Sequence, residues 1–209
     1  MKFILTILGS NSAVPAFDRF PTAQILQYHD KKYMIDCGEG AQFHFNKYKI
    51  KPSGLNNIFI SHLHGDHYLG LVGLISTMRL NGRTEDLHIY APEYLKKVLD
   101  IQLKFDDREW SFEYVFHNLE FNESKKIFED AYLEVFTIPL DHKIDCNGFL
   151  FKEKPKQRKI IAKKIKDYNI PFEVIKDLKK GANFELKNGD IIPNTDLTEE
   201  PALPKSYAY

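Results

Sequence analysis

Cysteine is nearly absent from this chain, with Cys37 and Cys146 the only two among 209 residues. So low a count argues against a disulfide framework and fits a reducing cytosol. Neither cysteine lies in a paired metal-binding motif, so buried packing is the role expected of each. Net charge is also absent: 29 Lys and Arg balance 29 Asp and Glu. No global field would then draw the chain to nucleic acid or to a membrane, and any polyanion site has to be a local patch. No apolar run approaches the ~18 residues needed to cross a bilayer. The opening Met1–Leu8 is too short for a signal sequence with a cleavage site and reads as a first strand. Internal repeats and low-complexity linkers are missing too, and the expectation is a cytoplasmic protein without a membrane segment.

What is present is enough apolar material for a core. A 43% hydrophobic and 13% aromatic composition over this length fits one folded domain. Alternating patterns predict strands over Phe3–Leu8, Ala23–Tyr28 and Lys32–Ile35, the last two joined by a turn at His29-Asp30-Lys31. Helical spacing resumes over Ala41–Tyr48 after the breaker Asp36-Cys37-Gly38-Glu39-Gly40. A buried strand is expected at Ile58–Ser61 and an apolar helix from about Leu69 to Leu80. A short strand follows at Leu87–Tyr90, and Pro92 opens a helix that runs through Leu103, where its missing N–H does no harm. Lys125–Pro139 reads as a hairpin turning at Glu129-Asp130, and Asn147–Phe151 as a further strand. Strands alternating with helices predict an α/β architecture with a mixed sheet covered by helices.

The densest chemistry lies in His62-Leu63-His64-Gly65-Asp66-His67, directly after the apolar run Ile58-Phe59-Ile60. Neutral imidazole and carboxylate are ligands that zinc accepts, and alternate residues in an extended turn can present His62 and His64 to one ion. Asp66 and His67 can face a second, while Gly65 permits the tight turn. Polar loop residues are the bland alternative, but composition alone rarely concentrates metal-binding types so densely. Single histidines are different: His29, His44, His88 and His117 each stand alone in the pattern, and packing or surface roles are expected of them. A metal pair needs further ligands, and His142 qualifies by following the strand Leu133–Ile138 and the breaker Pro139.

After Phe151 the composition changes. Lys152, Lys154, Lys156, Arg158, Lys159, Lys163, Lys164 and Lys166 crowd around isoleucines 160, 161 and 165. This stretch does not read as core; a solvated face is the default for a charge run, and an arm meeting phosphates is the alternative.

Three segments together resemble a known family: Leu8-Gly9-Ser10-Asn11-Ser12-Ala13-Val14-Pro15, then Ile35-Asp36-Cys37-Gly38-Glu39-Gly40, then the histidine motif with Gly70-Leu71. They resemble ribonuclease Z, the tRNA 3′-processing endonuclease of the metallo-β-lactamase superfamily. The resemblance runs through essentially the whole chain and implies the metallo-β-lactamase fold, an αββα sandwich of mixed sheets, incomplete at its C-terminus. By the same resemblance, His62, His64 and His142 would hold one zinc, and Asp66 and His67 the other. Asp66 would also be the catalytic proton handler, and Asp36 would orient a ligand imidazole by hydrogen bonding. Asp18 and Arg19 fall in the loop that the family uses near the tRNA end. The segment 153–190 corresponds to a basic arm inserted in the domain that grips the tRNA elbow, which turns Lys156, Arg158, Lys159, Lys163 and Lys164, together with Arg19, into candidate RNA contacts. The implied reaction is metal-assisted hydrolysis of a phosphodiester, leaving a tRNA with a 3′-hydroxyl, and the implied assembly is a homodimer acting on precursor tRNA.

The pattern also breaks. After Tyr207-Ala208-Tyr209 the family continues into Ser-Asp-Thr, whose aspartate bridges both ions, then a His-Glu-Ala-Thr-like segment and a final histidine. The expectation is therefore a single domain truncated from a chain about a third longer, with an incomplete second zinc site and impaired cleavage. Ala41 stands where the family often has threonine, and Ile170-Pro171-Phe172-Glu173 replaces a Gly-Pro arm tip. Two rival readings follow: a metallo-β-lactamase-fold phosphodiesterase for small substrates, which would need no basic arm, and a noncatalytic tRNA-binding fragment.

Overall fold

The structure, a computed structural model, describes residues 2–14, 16–104 and 110–209. It divides into two compact units, Met1–Phe151 with Tyr207–Tyr209, and Lys152–Ser206.

The larger unit is built on a six-stranded sheet whose spatial order follows the sequence: β1 (Phe3–Gly9), β2 (Ala23–Tyr28), β3 (Lys31–Cys37), β4 (Leu55–Phe59), β5 (Leu87–Ala91) and β6 (Tyr114–Asn118). The first three strands pair antiparallel, and β3 to β6 run parallel. Parallel neighbours need crossover connections. These contain α1 (Ala41–Lys47) between β3 and β4, α2 (Gly65–Tyr68) and α3 (Leu71–Leu80) between β4 and β5, and α4 (Tyr94–Leu103) between β5 and β6. A second sheet holds β7 (Lys126–Glu129), β8 (Leu133–Pro139), β9 (Asn147–Glu153) and the chain's last strand, Ser206–Ala208.

Strand alternation separates two cores. On β2, Ala23 and Ile25 pack with Leu71, Leu74, Leu95 and Leu99 of the helices, whereas Leu26 and Tyr28 face Leu133, Val135, Phe149 and Phe151 of the second sheet. The layers are thus helix, sheet, sheet. Fully burying a side chain such as Phe59, Phe149 or Phe151 contributes roughly 1.5–3 kcal/mol, so the aromatic seam between the sheets is a principal source of cohesion.

Several boundaries differ from the sequence reading. The buried strand runs Leu55–Phe59 rather than Ile58–Ser61: Ile60 keeps one ladder bond, to Tyr90 O at 2.8 Å, and Ser61 lies beyond the strand. The helix expected from Leu69 begins at Leu71, and the second hairpin turns after Glu129. β6 was not anticipated at all. His88 and His117, read as isolated, meet across β5 and β6 with Nδ1 and Nε2 2.9 Å apart. Their ring centroids are 5.2 Å apart, about the sum for two rings joined head-on by one N–H···N bond. His29 stacks on Tyr132 at 3.9 Å, and His44 meets Phe20 edge-on at 4.2 Å, both packing roles as expected.

The smaller unit has a core of its own, whose buried residues lie beyond the lysine-rich stretch Lys152–Lys166. Ile170, Leu178 and Leu197 are buried there, with Ile160, Ile165, Tyr168, Val174, Phe184 and Ile192 packed around them. They come from short elements: β10 (Lys159–Ile160), α5 (Ala162–Asp167), a 3-10 turn (Phe172–Val174), α6 (Ile175–Leu178), β11 (Phe184–Glu185), β12 (Ile191–Ile192), α7 (Asn194–Leu197) and β13 (Thr198–Glu199), with the last strand numbered β14 (Ser206–Ala208). Asn194 ties them together: its amide donates to Leu178 O at 2.8 Å and Ala182 O at 2.6 Å, and Thr198 Oγ1 donates to its Oδ1 at 2.8 Å.

Candidate metal centre

In parallel sheets, ligands bind beyond the carboxyl ends of the strands, and the candidate site lies there, past β3 and β4. Asp36 is the penultimate residue of β3, with φ +54°. Register slips beside it, Ala23 pairing with Cys37 while Gln24 pairs with Ile35. Asp36 is therefore the extra residue of a β-bulge, a device that re-aims a side chain, and aspartate is among the few residues that tolerate left-handed backbone. The bulge also reverses the alternation, so that Cys37 joins the helix-side core although Tyr33 and Ile35 face the second sheet.

Two glycines bring the next turn against the histidine segment. A Cβ on Gly70 would fall 2.0 Å from Gly38 O, and one on Gly38 would fall 2.6 Å from Asp66 O. Gly70 N donates to Cys37 O at 2.9 Å across the same contact. This close approach explains physically why the Asp-Cys-Gly-Glu-Gly turn and Gly70-Leu71 occur together. Beyond it, Asp66 and His67 lie on the single helical turn α2 rather than in an extended loop, and His64 is its N-cap residue.

Three imidazoles converge. The donor atoms of His62, His64 and His142 all lie within 4.8 Å of one another. His62 Nε2 is 3.0 Å, and His142 Nε2 3.4 Å, from His64 Nδ1. With zinc–nitrogen bonds of about 2.0–2.1 Å, two ligands at a tetrahedral angle stand about 3.3 Å apart. These two spacings bracket that value, and with all three donors within 4.8 Å of one another the set suits a zinc-like ion. His62 is buried, and burial, with neighbouring His67 second, pushes its pKa down to about 4. It is neutral at pH 7, the state in which an imidazole ligates.

Asp66 and His67 adjoin this trio. His67 Nε2 lies 3.5 Å from Asp66 Oδ2, and the His67 ring centroid is 3.9 Å from that of His62. The opposite ring nitrogen, Nδ1, is 2.6 Å from Asp36 Oδ2. When Nδ1–H donates to this carboxylate, Nε2 is left as the lone-pair nitrogen on the Asp66 side, the arrangement that outer partners impose on ligand histidines. Asp36 is fully buried and also receives Ser61 N at 2.8 Å, Ser61 Oγ at 2.9 Å and Tyr209 Oη at 2.6 Å. Sequence reasoning missed both Ser61 and Tyr209. Ser61 could have been found as the hydroxyl directly before the first histidine, whereas nothing local marks Tyr209.

The other candidates have different surroundings. Arg19 and Asp18 line a cleft of about 600 Å³ together with Phe17, Phe20, Glu39 and Phe43. In the smaller unit, Lys156 pairs with buried Glu153 at 2.6 Å, Arg158 Nε donates to Thr198 Oγ1 at 2.6 Å, and Lys159 reaches Glu199 at 3.6 Å. Lys163 is exposed on α5, and Lys164 Nζ lies 5.6 Å from the Tyr168 ring centroid.

Comparison with known proteins decides the family. Ribonuclease Z of Bacteroides fragilis is 44% identical over 208 residues, covering all of this chain and 68% of that protein. The chain belongs to the ribonuclease Z family. Its fold is the metallo-β-lactamase fold: the short form of human tRNase Z superposes with a TM-score of 0.66 at 30% identity, over 73% of this chain and 66% of that one. The metallo-β-lactamase fold protein YhfI of Bacillus subtilis, at 16% identity, gives 0.55 over 70% of this chain and 57% of its own. A family model described as Anti-Pycsar protein Apyc1 matches residues 3–154. This ribonuclease Z family member spans about two-thirds of the length of such relatives. Among its described residues no helix is long and apolar enough to cross a membrane.

Proposed function

We propose that the protein is a zinc-dependent endoribonuclease that removes 3′ trailers from precursor tRNA, working in the cytoplasm as a homodimer. The observation that carries this reading is the convergence of His62 Nε2, His64 Nδ1 and His142 Nε2 beside the His67–Asp66 pair. His62, His64 and His142 would hold one ion, and Asp66 and His67 would contribute to a second. Ions so bound would supply Lewis acidity toward a phosphodiester and acidify a water near neutral pH. The chain's own residues do the rest. Asp66, on the first turn of α2, is placed to take up and pass on a proton. Asp36 fixes the tautomer and orientation of His67. The basic residues of Lys152–Ser206, Lys163 and Lys164 among them, and Arg19 beside its cleft, provide contacts for RNA phosphates, which position a substrate without reading its sequence.

Human tRNase Z and the ribonuclease Z relatives support this reading by their similarity, and the relatives match along the smaller unit as well as the larger. One observation favours a second reading. The Apyc1 family model stops at residue 154, at the start of the smaller unit, so the metal-site unit alone is compatible with a phosphodiesterase for small substrates. Incubating the purified protein, with zinc counted by elemental analysis, against end-labelled precursor tRNA and against cyclic nucleotides separates the two. Trailer release that EDTA abolishes is the expected result. Hydrolysis of cyclic nucleotides with precursor tRNA left intact would replace it by the second reading, and salt-sensitive tRNA binding without cleavage at full zinc occupancy would make the chain a binding module.

A further inference from the structure

Tyr209 stands 173 residues from Asp36 in sequence, yet its hydroxyl donates to Asp36 Oδ2 at 2.6 Å. That same oxygen receives His67 Nδ1 at 2.6 Å and Ser61 Oγ at 2.9 Å, while Oδ1 is held by Ser61 N at 2.8 Å. We propose that Tyr209 is a positioning residue of the metal centre: its hydroxyl, with Ser61, clamps the Asp36 carboxylate in the one orientation that directs the His67 Nε2 lone pair toward Asp66. The proposal rests on the reading of His67 as a metal ligand and adds the residue that holds that ligand's partner in place.

The geometry supplies three reasons. A carboxylate can rotate about its last bond, and a bulged aspartate in left-handed backbone has no ladder to restrain its side chain. Donors on both oxygens remove that freedom. Tyr209 is itself immobilised: its N–H and C=O exchange hydrogen bonds with Phe149 at 3.0 and 3.1 Å. A Cβ on Gly148 would lie 2.4 Å from Tyr209 O, so the strands approach as they do only because residue 148 is glycine. The neighbouring Asn147 N donates to Ser61 O at 3.1 Å, which fastens β9 to the other half of the clamp. Finally, the tyrosine hydroxyl has few other uses, its further contact being Thr22 Oγ1 at 3.3 Å.

The strand directly before Tyr209 provides the control. Tyr207 Oη donates to Gln24 Oε1 at 2.6 Å and belongs to no chain of bonds leading to a ligand. Tyr209→Phe and Tyr207→Phe each delete one partly buried tyrosine hydroxyl from the segment 206–209, so a purely structural effect should be alike in both. Two readouts are required: the tautomer of His67 from its imidazole nitrogen shifts in the metal-free protein, and the affinity for Zn²⁺ by calorimetry. His67 of the unaltered protein is expected in the single tautomer protonated at Nδ1. Tyr209→Phe is expected to give mixed tautomers and to weaken by roughly 10-fold or more the binding event that His67→Ala abolishes. Tyr207→Phe should alter neither readout. The clamp is overturned if Tyr209→Phe keeps both the tautomer and the affinity, or if Tyr207→Phe loses them equally. Should His67→Ala itself leave Zn²⁺ binding untouched, the metal-site reading fails instead, and the tautomer signal shows separately whether the hydrogen-bond clamp exists.

Discussion

Two buried carboxylates, one in each unit, show how differently the two regions handle charge. Asp36 is fully buried and is met by the Ser61 amide and hydroxyl, the Tyr209 hydroxyl and the His67 ring, so its donors are uncharged whenever His67 is neutral. Glu153 is 1% exposed and is met by the Lys156 ammonium at 2.6 Å and by the Lys205 amide at 2.9 Å. Burying a charge without a partner of opposite sign is costly. The smaller unit cancels its charge internally with a lysine. The metal-site unit instead surrounds its carboxylate with oriented dipoles beside a cluster of imidazoles, an arrangement suited to a cation held by those imidazoles. Lys156, Arg158 and Lys159 each have an acidic partner within their own unit.

The largest expected effect comes from the metal side of this comparison. His64→Ala removes the nitrogen that lies 3.0 and 3.4 Å from its two neighbours. It should weaken Zn²⁺ binding by more than the roughly 10–100-fold that loss of an outer partner produces, with trailer cleavage falling alongside. Because His64 is exposed, thermal stability without metal should hardly change, and calorimetry on metal-free and zinc-loaded protein separates the two effects. Tight tRNA binding that survives the substitution would show that the two regions act separately; loss of tRNA binding as well would break the comparison.

Next comes the core of the smaller unit. Leu178 is 1% exposed and packs with Ile170 and Leu197. Leu178→Ala should cost about 2–4 kcal/mol, at the range found for buried leucines. Hydrogen exchange should accelerate over residues 152–206, and tRNA affinity should fall, while Zn²⁺ affinity stays as it was. Accelerated exchange throughout β1–β6 would mean that the two units unfold as one.

These contrasts also show which parts of the molecule were legible in the sequence. β2 was read to the residue because Ala23 and Ile25 face one core and Leu26 and Tyr28 the other, a period-2 signal with both faces apolar. β6 was overlooked because it is a sheet-edge strand whose residues are only half buried, with His117 interrupting its apolar pattern. The histidine cluster was readable because five of its ligand candidates crowd one strand end or follow a proline break. The bulge at Asp36 and the bond from Tyr209 were not readable, since a bulge erases the alternation that would reveal it and a contact across 173 residues leaves no local trace. The core of the smaller unit escaped for a related reason. Ile170, Leu178 and Leu197 come from separate short elements and repeat at no fixed period among the lysines.

The smallest expected effect tests whether burial, rather than the number of donors, makes Asp36 special. Asp100 on α4 has three donors against the four on Asp36, Lys96 at 2.7 Å, Lys104 at 3.1 Å and the Tyr114 hydroxyl at 2.5 Å, and its side chain is 32% exposed. Burial alone would raise its pKa, and the hydrogen bonds from Lys96, Tyr114 and Lys104 outweigh that and hold it well below the usual carboxylate range. A carboxyl whose pKa is lower in the folded state than its unfolded value of about 3.9 stabilises the fold above that pH and loses the contribution as pH falls. Solvent screening limits it to about 1 kcal/mol or less. In urea titrations, Asp100→Asn should lower stability by that amount at pH 7, and the gap to the unaltered protein should narrow below about pH 4. Asp36→Asn leaves Ser61 N–H, the Tyr209 hydroxyl and His67 Nδ1 sharing one carbonyl and an amide that cannot accept, so about 1–3 kcal/mol should be lost at pH 7. If the two substitutions cost the same, dipole count and not burial sets the worth of a carboxylate here.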